Sequence, residues 1–239
     1  KISYIMTDDR NVKYAYNAEK DVFQVVSKEG EDHTIYFKGP YTMSMTAYAP
    51  YTGERGTLAG VIQASTTSEK QVDTARATID FLYAEGGGSQ TNPRVEFQFF
   101  HKMSQLVLAF KAGGGLELDD ISYTLKNIIL DGSFDTSAGS VASGKTTGNI
   151  NMSLAKGKEM NSSVIVFPQK LASTLLLELA MGGKTYAQPI GNGIDLISGN
   201  TYIFDVTIAP QSMTVSPAKI EDWIWGENSD HYVIAGESE

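Results

Sequence analysis

Two stretches alternate apolar and polar residues in the manner of half-buried strands: Val95 to Phe110 (VEFQFFHKMSQLVLAF) and Ser198 to Trp225 (SGNTYIFDVTIAPQSMTVSPAKIEDWIW). Successive strand side chains point to opposite sides of a sheet. Val95, Phe97, Phe99, His101 and Met103 therefore fall on one face, and Glu96, Gln98 and Lys102 on the other. Tyr202, Phe204, Val206 and Ile208 oppose Asp205 and Thr207 in the same way. A chain patterned like this buries its apolar residues by forming sheets.

Further strand-like runs recur every ten or so residues between turn formers, the pattern of an all-β sandwich. The candidates before residue 90 are Val12–Tyr16, Val22–Val26, His33–Phe37, Thr42–Tyr48, Thr57–Gln63 and Ile79–Tyr83. After it come Val95–His101, Gln105–Lys111, Ile121–Leu130, Gly148–Ser153, Ser163–Phe167, Thr174–Leu179, Thr185–Pro189, Thr201–Ile208 and Ile220–Trp225. One short helix is expected from Ser68 to Arg76, capped by the Ser68 hydroxyl and the Gln71 amide. Glu85 to Pro93 (EGGGSQTNP) joins three glycines to polar residues and a proline, which suits neither helix nor strand. It is the expected boundary between two domains, 1–90 and 91–239; the alternative is a long surface hairpin within one domain. Asp131 to Asn149, rich in Gly, Ser and Thr, reads as a long exposed loop.

Composition narrows the function. A formal charge of −9 argues against nucleic acid, whose phosphates call for clustered Lys and Arg, and against electrostatic docking on anionic lipid. No apolar run approaches the ~18–20 residues of a membrane helix. No signal peptide stands at Lys1, so the chain reads as a soluble, processed or truncated form. With no cysteine there is no disulfide, thiolate metal site or Cys nucleophile.

Chemistry-bearing patterns are few. His33, His101 and His231 stand far apart, without the short spacings of a metal site. His101 shares the apolar face with Phe97 and Phe99, which favours a hydrogen-bonded core histidine over a ligand. Asp119 and Asp120 point oppositely on an extended chain, so they read as loop charges and not as an acid–base pair. Gly113–Gly115 is expected to turn a hairpin. Trp223 and Trp225 lie two apart and share a strand face. Exposed, they would form a stacking platform for a sugar; buried, they close a sandwich or fill a partner's groove. No catalytic, cofactor-binding or metal residue is assigned.

Met45 to Tyr51 (MTAYAPY), Phe99 to Leu106 (FFHKMSQL), Val166 to Gln169 (VFPQ), Gly199 to Val206 (GNTYIFDV) and Ile220 to Trp223 (IEDW), taken in order, resemble the fimbrillin-like proteins, the type V pilins and their relatives. Met45-Thr46-Ala47-Tyr48-Ala49-Pro50-Tyr51 is similar to the family's F-x-A-Y-A-P-Y stretch. Phe99-Phe100-His101-Lys102-Met103-Ser104-Gln105-Leu106 resembles F-x-H-x-(L/M)-S-x-L, and Val166-Phe167-Pro168-Gln169 resembles V-L-P-Q. Gly199 to Val206 is similar to G-x-x-Y-x-(Y/F)-x-(V/I), and Ile220-Glu221-Asp222-Trp223 to I-x-D-W. Each is weak alone, but the ordered set runs from about Tyr41 to Trp225.

The resemblance implies two transthyretin-like β-sandwich domains in tandem and a lipoprotein precursor carried to the outer membrane or into a fimbrium. It further implies assembly by donor-strand exchange after a trypsin-like protease removes an N-terminal strand. The expected function is that of a non-enzymatic fimbrial subunit or cell-surface adhesion protein. Its partners would be other fimbrial subunits through strand exchange, with surface glycans or proteins beside them, and no cofactor. The chain is short for a stalk subunit and lacks the cysteine that a precursor would carry for lipidation. Arg10, in the polar stretch TDDRN, is the candidate maturation site; Ile220, Trp223 and Trp225 are the candidate assembly or domain-closing strand. A glycan-binding surface module using the two tryptophans is the alternative, and a glycoside hydrolase a distant third.

Overall fold

The computed structural model describes residues 10–27, 31–37, 40–156 and 160–224. The chain is all-β: 50% of the described residues are in strands and 3% in helix. In chain order the first strands are β1 (Tyr14–Asn17), β2 (Val22–Val25), β3 (Met43–Ala49), β4 (Val61–Ser65), β5 (Leu82–Gly88) and β6 (Phe100–His101). A 3₁₀ turn, Ser68–Lys70, and a one-turn helix α1, Asp73–Arg76, stand between β4 and β5. Next come β7 (Ser104–Ala112), β8 (Ile121–Ile129), β9 (Asp131–Asp135), β10 (Ser140–Ser143), β11 (Thr147–Leu154) and β12 (Asn161–Val166). The last are β13 (Leu176–Met181), β14 (Lys184–Pro189), β15 (Asn200–Ala209), β16 (Ser212–Val215) and β17 (Lys219–Asp222).

The alternation in the sequence builds the larger of two cores. On β15, Tyr202, Phe204, Val206 and Ile208 are wholly enclosed, and on β7 so are Leu106, Leu108 and Phe110. Burying each such side chain contributes about 1.5–3 kcal/mol. These strands lie side by side and parallel, in a sheet ordered β12-β7-β15-β16, with β17 also on β15. A second sheet, β11-β8-β13-β14, faces it and supplies Ile121, Tyr123, Leu125, Leu177 and Leu179 to the same core. Enclosure also pushes the Tyr123 phenol up to about 12, its hydroxyl lying 2.7 Å from Ser162 Oγ. Because β7 and β8 belong to different sheets, Gly113–Gly115 carries the chain across the sandwich and does not turn a hairpin.

A smaller core gathers Ile79, Phe81, Tyr83, Met103, Phe134, Ile165, Phe167 and Trp223. It lies among two three-stranded sheets, β3-β5-β6 and β10-β9-β4. Two expectations fail here. Asp131 to Asn149 is no loop: β9 and β10 form a hairpin whose first strand pairs with β4, and Phe134 stacks on Phe81 at 4.8 Å. Glu85–Gly88 is no linker either, since it is the second half of β5, paired with β3 along its length. Its glycines admit close neighbours: a Cβ on Gly86 would sit 2.8 Å from Val95 Cγ1, and one on Gly88 2.5 Å from Phe37 Cζ. The small side chain serves approach here, and flexibility is not its role.

Other strands differ at their limits. His33–Phe37 is not a strand, Ile79–Tyr83 begins later as β5, and only Phe100–His101 of the Val95–His101 run is paired. Val95–Phe99 nevertheless keeps its alternating burial beside β5. The helix expected from Ser68 to Arg76 is two separate turns. Gln71 ends the first turn through its backbone N–H, which donates to Ser68 O, but its side chain caps neither turn; it is fully enclosed and bonds to the backbone of β12.

Candidate functional site

The C-terminal strand meets the rest of the chain through four residue pairs, Asn200↔Asp222 to Ile203↔Lys219, on one end of β15. The other end of that same edge is taken by β16, from Val206↔Val215 to Ala209↔Ser212. All four residues of β17 are exposed, Ile220 at 57%. The residue after the strand is enclosed instead: Trp223 is 8% exposed and belongs to the smaller core.

Trp223 lies flat on the His101 imidazole, with ring centroids 4.0 Å apart and planes 3° from parallel. Asp80 completes the group, its Oδ1 lying 2.7 Å from His101 Nδ1 with both side chains more than nine-tenths buried. Buried polar groups are expected to be hydrogen-bonded, and the carboxylate fixes the orientation of the ring on which the indole rests. The Trp223 backbone N–H donates to Gly199 O (2.7 Å), and the Gly199 backbone N–H donates to Met103 O (2.8 Å). The C-terminal segment is thereby tied to the β15 entry and to the β6–β7 junction at once.

This placement overturns a sugar-stacking platform on Trp223, because one face of the ring is covered by His101 and the rest is buried. Trp225 and His231 lie outside the described residues. The structure joins His101 and Trp223, each legible alone as a packing residue, and adds Asp80, which carries no distinguishing motif.

Arg10 is half-buried, and its carbonyl accepts from Gly56 N–H at 2.8 Å. Asn11 adopts a left-handed φ of 49°. Its amide Nδ2 donates to Thr52 O and Glu54 O, while its Oδ1 accepts from the Tyr48 hydroxyl at 2.6 Å. The segment around Arg10 thus lies against the Tyr48–Tyr51 motif.

The remaining motif residues also do structural tasks. Gln169 bonds Ile129 N and O, and Thr201 Oγ1 donates to Gln105 Oε1 inside the sheet. His33 pairs with Glu31 at 2.6 Å, and Asp119 and Asp120 are exposed beside Lys156. Among the described residues no group of three or more His, Asp or Glu is placed to hold a metal ion, and no helix is long and apolar enough to cross a membrane.

Residues 4–223 match the family described as fimbrillin-like. A candidate fimbrium subunit of Bacteroides uniformis, Fim1C, is 26% identical over 231 residues, covering 90% of this chain and 73% of the relative. The solved structure of a candidate cell adhesion protein from Bacteroides ovatus superposes with a TM-score of 0.78 at 34% identity, over 86% of this chain and 76% of that one. A second candidate cell adhesion protein, from Bacteroides uniformis, gives a TM-score of 0.72 at 23% identity over 89% and 85%, which bears on the fold alone.

Proposed function

The chain belongs to the fimbrillin-like family, and on that premise we propose that it is a non-enzymatic fimbrial subunit of the cell surface, a protein of adhesion. The observation that carries this reading is a family match over nearly the whole chain, joined to a relative described as a fimbrium subunit, of which 73% is covered. Electron microscopy of the native cell surface, with and without the gene, tests it. Fibres are expected to thin out or vanish on deletion; an unchanged fibre population contradicts the assignment.

Assembly proceeds by strand exchange, in which a donor supplies backbone hydrogen bonds and alternate side chains to an acceptor sheet. Support comes from β17, a four-residue strand with an exposed outer surface that shares one edge of β15 with β16. Its release would break only the four residue pairs it makes with β15. Ile220 lies on this strand and Trp223, just after it, is its anchor. The protein reaches the surface as an outer-membrane lipoprotein precursor, and other fimbrial subunits and surface glycans or proteins are its partners.

Two sandwiches in tandem are the organisation that best fits the two cores. The junction belongs after β6, near Lys102 and Met103, and not at residue 90, because β5 pairs with β6 and the glycine run is strand. The hairpin β9–β10 then reaches back from the second unit into the first.

Cleavage after Arg10 is part of the same reading. Cleavage there would remove the bond from Gly56 N–H to Arg10 O and leave Asn11 as the new first residue on its hydrogen bonds to Thr52 and Glu54. N-terminal sequencing of surface-extracted protein is expected to start at Asn11. A mature chain that retains residues upstream of Arg10 removes maturation at this site.

A further inference from the structure

On one flank the two sheets of the larger sandwich end in β11 and β12. An edge strand offers unpaired N–H and C=O groups to any strand that arrives, and proteins cover such edges or break them. The opposite flank closes on itself, with β14 beside β16 and Lys184 Nζ donating to Pro210 O at 2.9 Å. The β11–β12 flank is closed by side chains.

Gln71 does for Ile165 what a neighbouring strand would do. Its Oε1 accepts from Ile165 N–H at 2.8 Å and its Nε2 donates to Ile165 O at 2.8 Å. Two residues along the same edge, Arg76 Nη2 donates to Ser163 O and Nη1 to Ser163 Oγ, each at 3.0 Å. The same guanidinium holds Gln71 O from Nε and Nη2, at 3.1 and 2.7 Å, so it fixes the backbone from which Gln71 projects. On the other sheet, Asn151 N–H of β11 donates to Ser68 Oγ at 2.9 Å. One segment, residues 68–76, therefore occupies both edges.

That segment has little else to hold it. Neither the 3₁₀ turn nor α1 buries a residue, and turns of three and four residues are unstable by themselves. Polar contacts through Ser68, Gln71 and Arg76 keep it in place.

We propose that residues 68–76 are an edge guard, which keeps the β11–β12 flank from accepting a strand of a second copy of this chain. The occupant they exclude is β12 of that copy. One β12 edge presents both N–H and C=O groups at Ser163 and Ile165, so two such edges pair antiparallel in a self-complementary, two-fold contact. The guard confines strand exchange to other edges of the subunit, and it stands independently of which strand builds a fibre.

The test compares the purified chain with Arg76→Ala and with Gln71→Ala/Arg76→Ala, using sedimentation velocity over a range of concentrations and near-ultraviolet circular dichroism to establish folding. Folded variants are expected to self-associate at least roughly tenfold more tightly than the parent, the equivalent of ~1.4 kcal/mol. Adding Ser163→Pro removes an edge N–H on the side away from β7 and is expected to return them to the parent's behaviour. Should the double variant not fold, Arg76→Ala is read by the same criteria. A folded variant that associates no more than the parent overturns the proposal, and so does association that persists with Ser163→Pro.

Discussion

Trp223→Ala is expected to lower the stability of the isolated chain by about 3–5 kcal/mol, the usual range for emptying an enclosed aromatic site. The ring takes roughly 150–250 Å² out of water, and the stack on His101 adds to that area. For a chain of this size the loss corresponds to a fall in Tm of roughly 10 °C, read by calorimetry or circular dichroism. The alternative is an indole that serves a neighbouring subunit, in which case the monomer melts unchanged while polymer formation fails. The enclosure of Trp223 among Ile79, Phe81, Tyr83 and Met103 selects the first outcome. His101→Ala supplies a control, since a coupling of about 0.5–1.5 kcal/mol in a double-mutant cycle is expected from a ring pair in contact. Unchanged melting of Trp223→Ala would remove the domain-closing role of the C-terminal segment.

How much of this was legible follows from how far each signal reaches along the chain. β7 and β15 were plain because large apolar residues alternate with polar ones, and a one-residue slip would turn that whole set to solvent. His101 and Trp223 were legible one at a time as packing residues, but their stack joins positions far apart along the chain. Gln71 was misread because capping is a local rule, whereas its partner Ile165 lies 94 residues away. The glycine run misled for a related reason. Three glycines look like a flexible joint until Val95 and Phe37 are seen pressing on them. Asp131 to Ser143 carries only Phe134 and Val141 as large apolar residues, and small residues fill the places where neighbours come close. Its strand character comes from β4, which no pattern within the segment announces.

That hairpin allows the division of the chain to be tested by its own core residue. Phe134 is fully enclosed, stacked on Phe81 at 4.8 Å and 14°, with Tyr48 at 6.3 Å. Phe134→Ala is expected to cost about 3–5 kcal/mol. The loss should be local, because Phe134 touches the smaller core and none of the residues that fill the larger one. Amide exchange in β3, β4, β5 and β9 should therefore quicken while β7, β8 and β15 keep their protection, as expected when one cooperative unit opens by itself. Limited proteolysis reads the same event: the parent should resist cutting within Asp131–Asp135 and Ser140–Ser143, and the variant should be cut there first. Exchange that quickens evenly through both cores would mean a single cooperative unit and would end the tandem reading. Ready cleavage of the parent inside β9 would show that the segment is loop after all, and with it the pairing of β4 to β9 would fall.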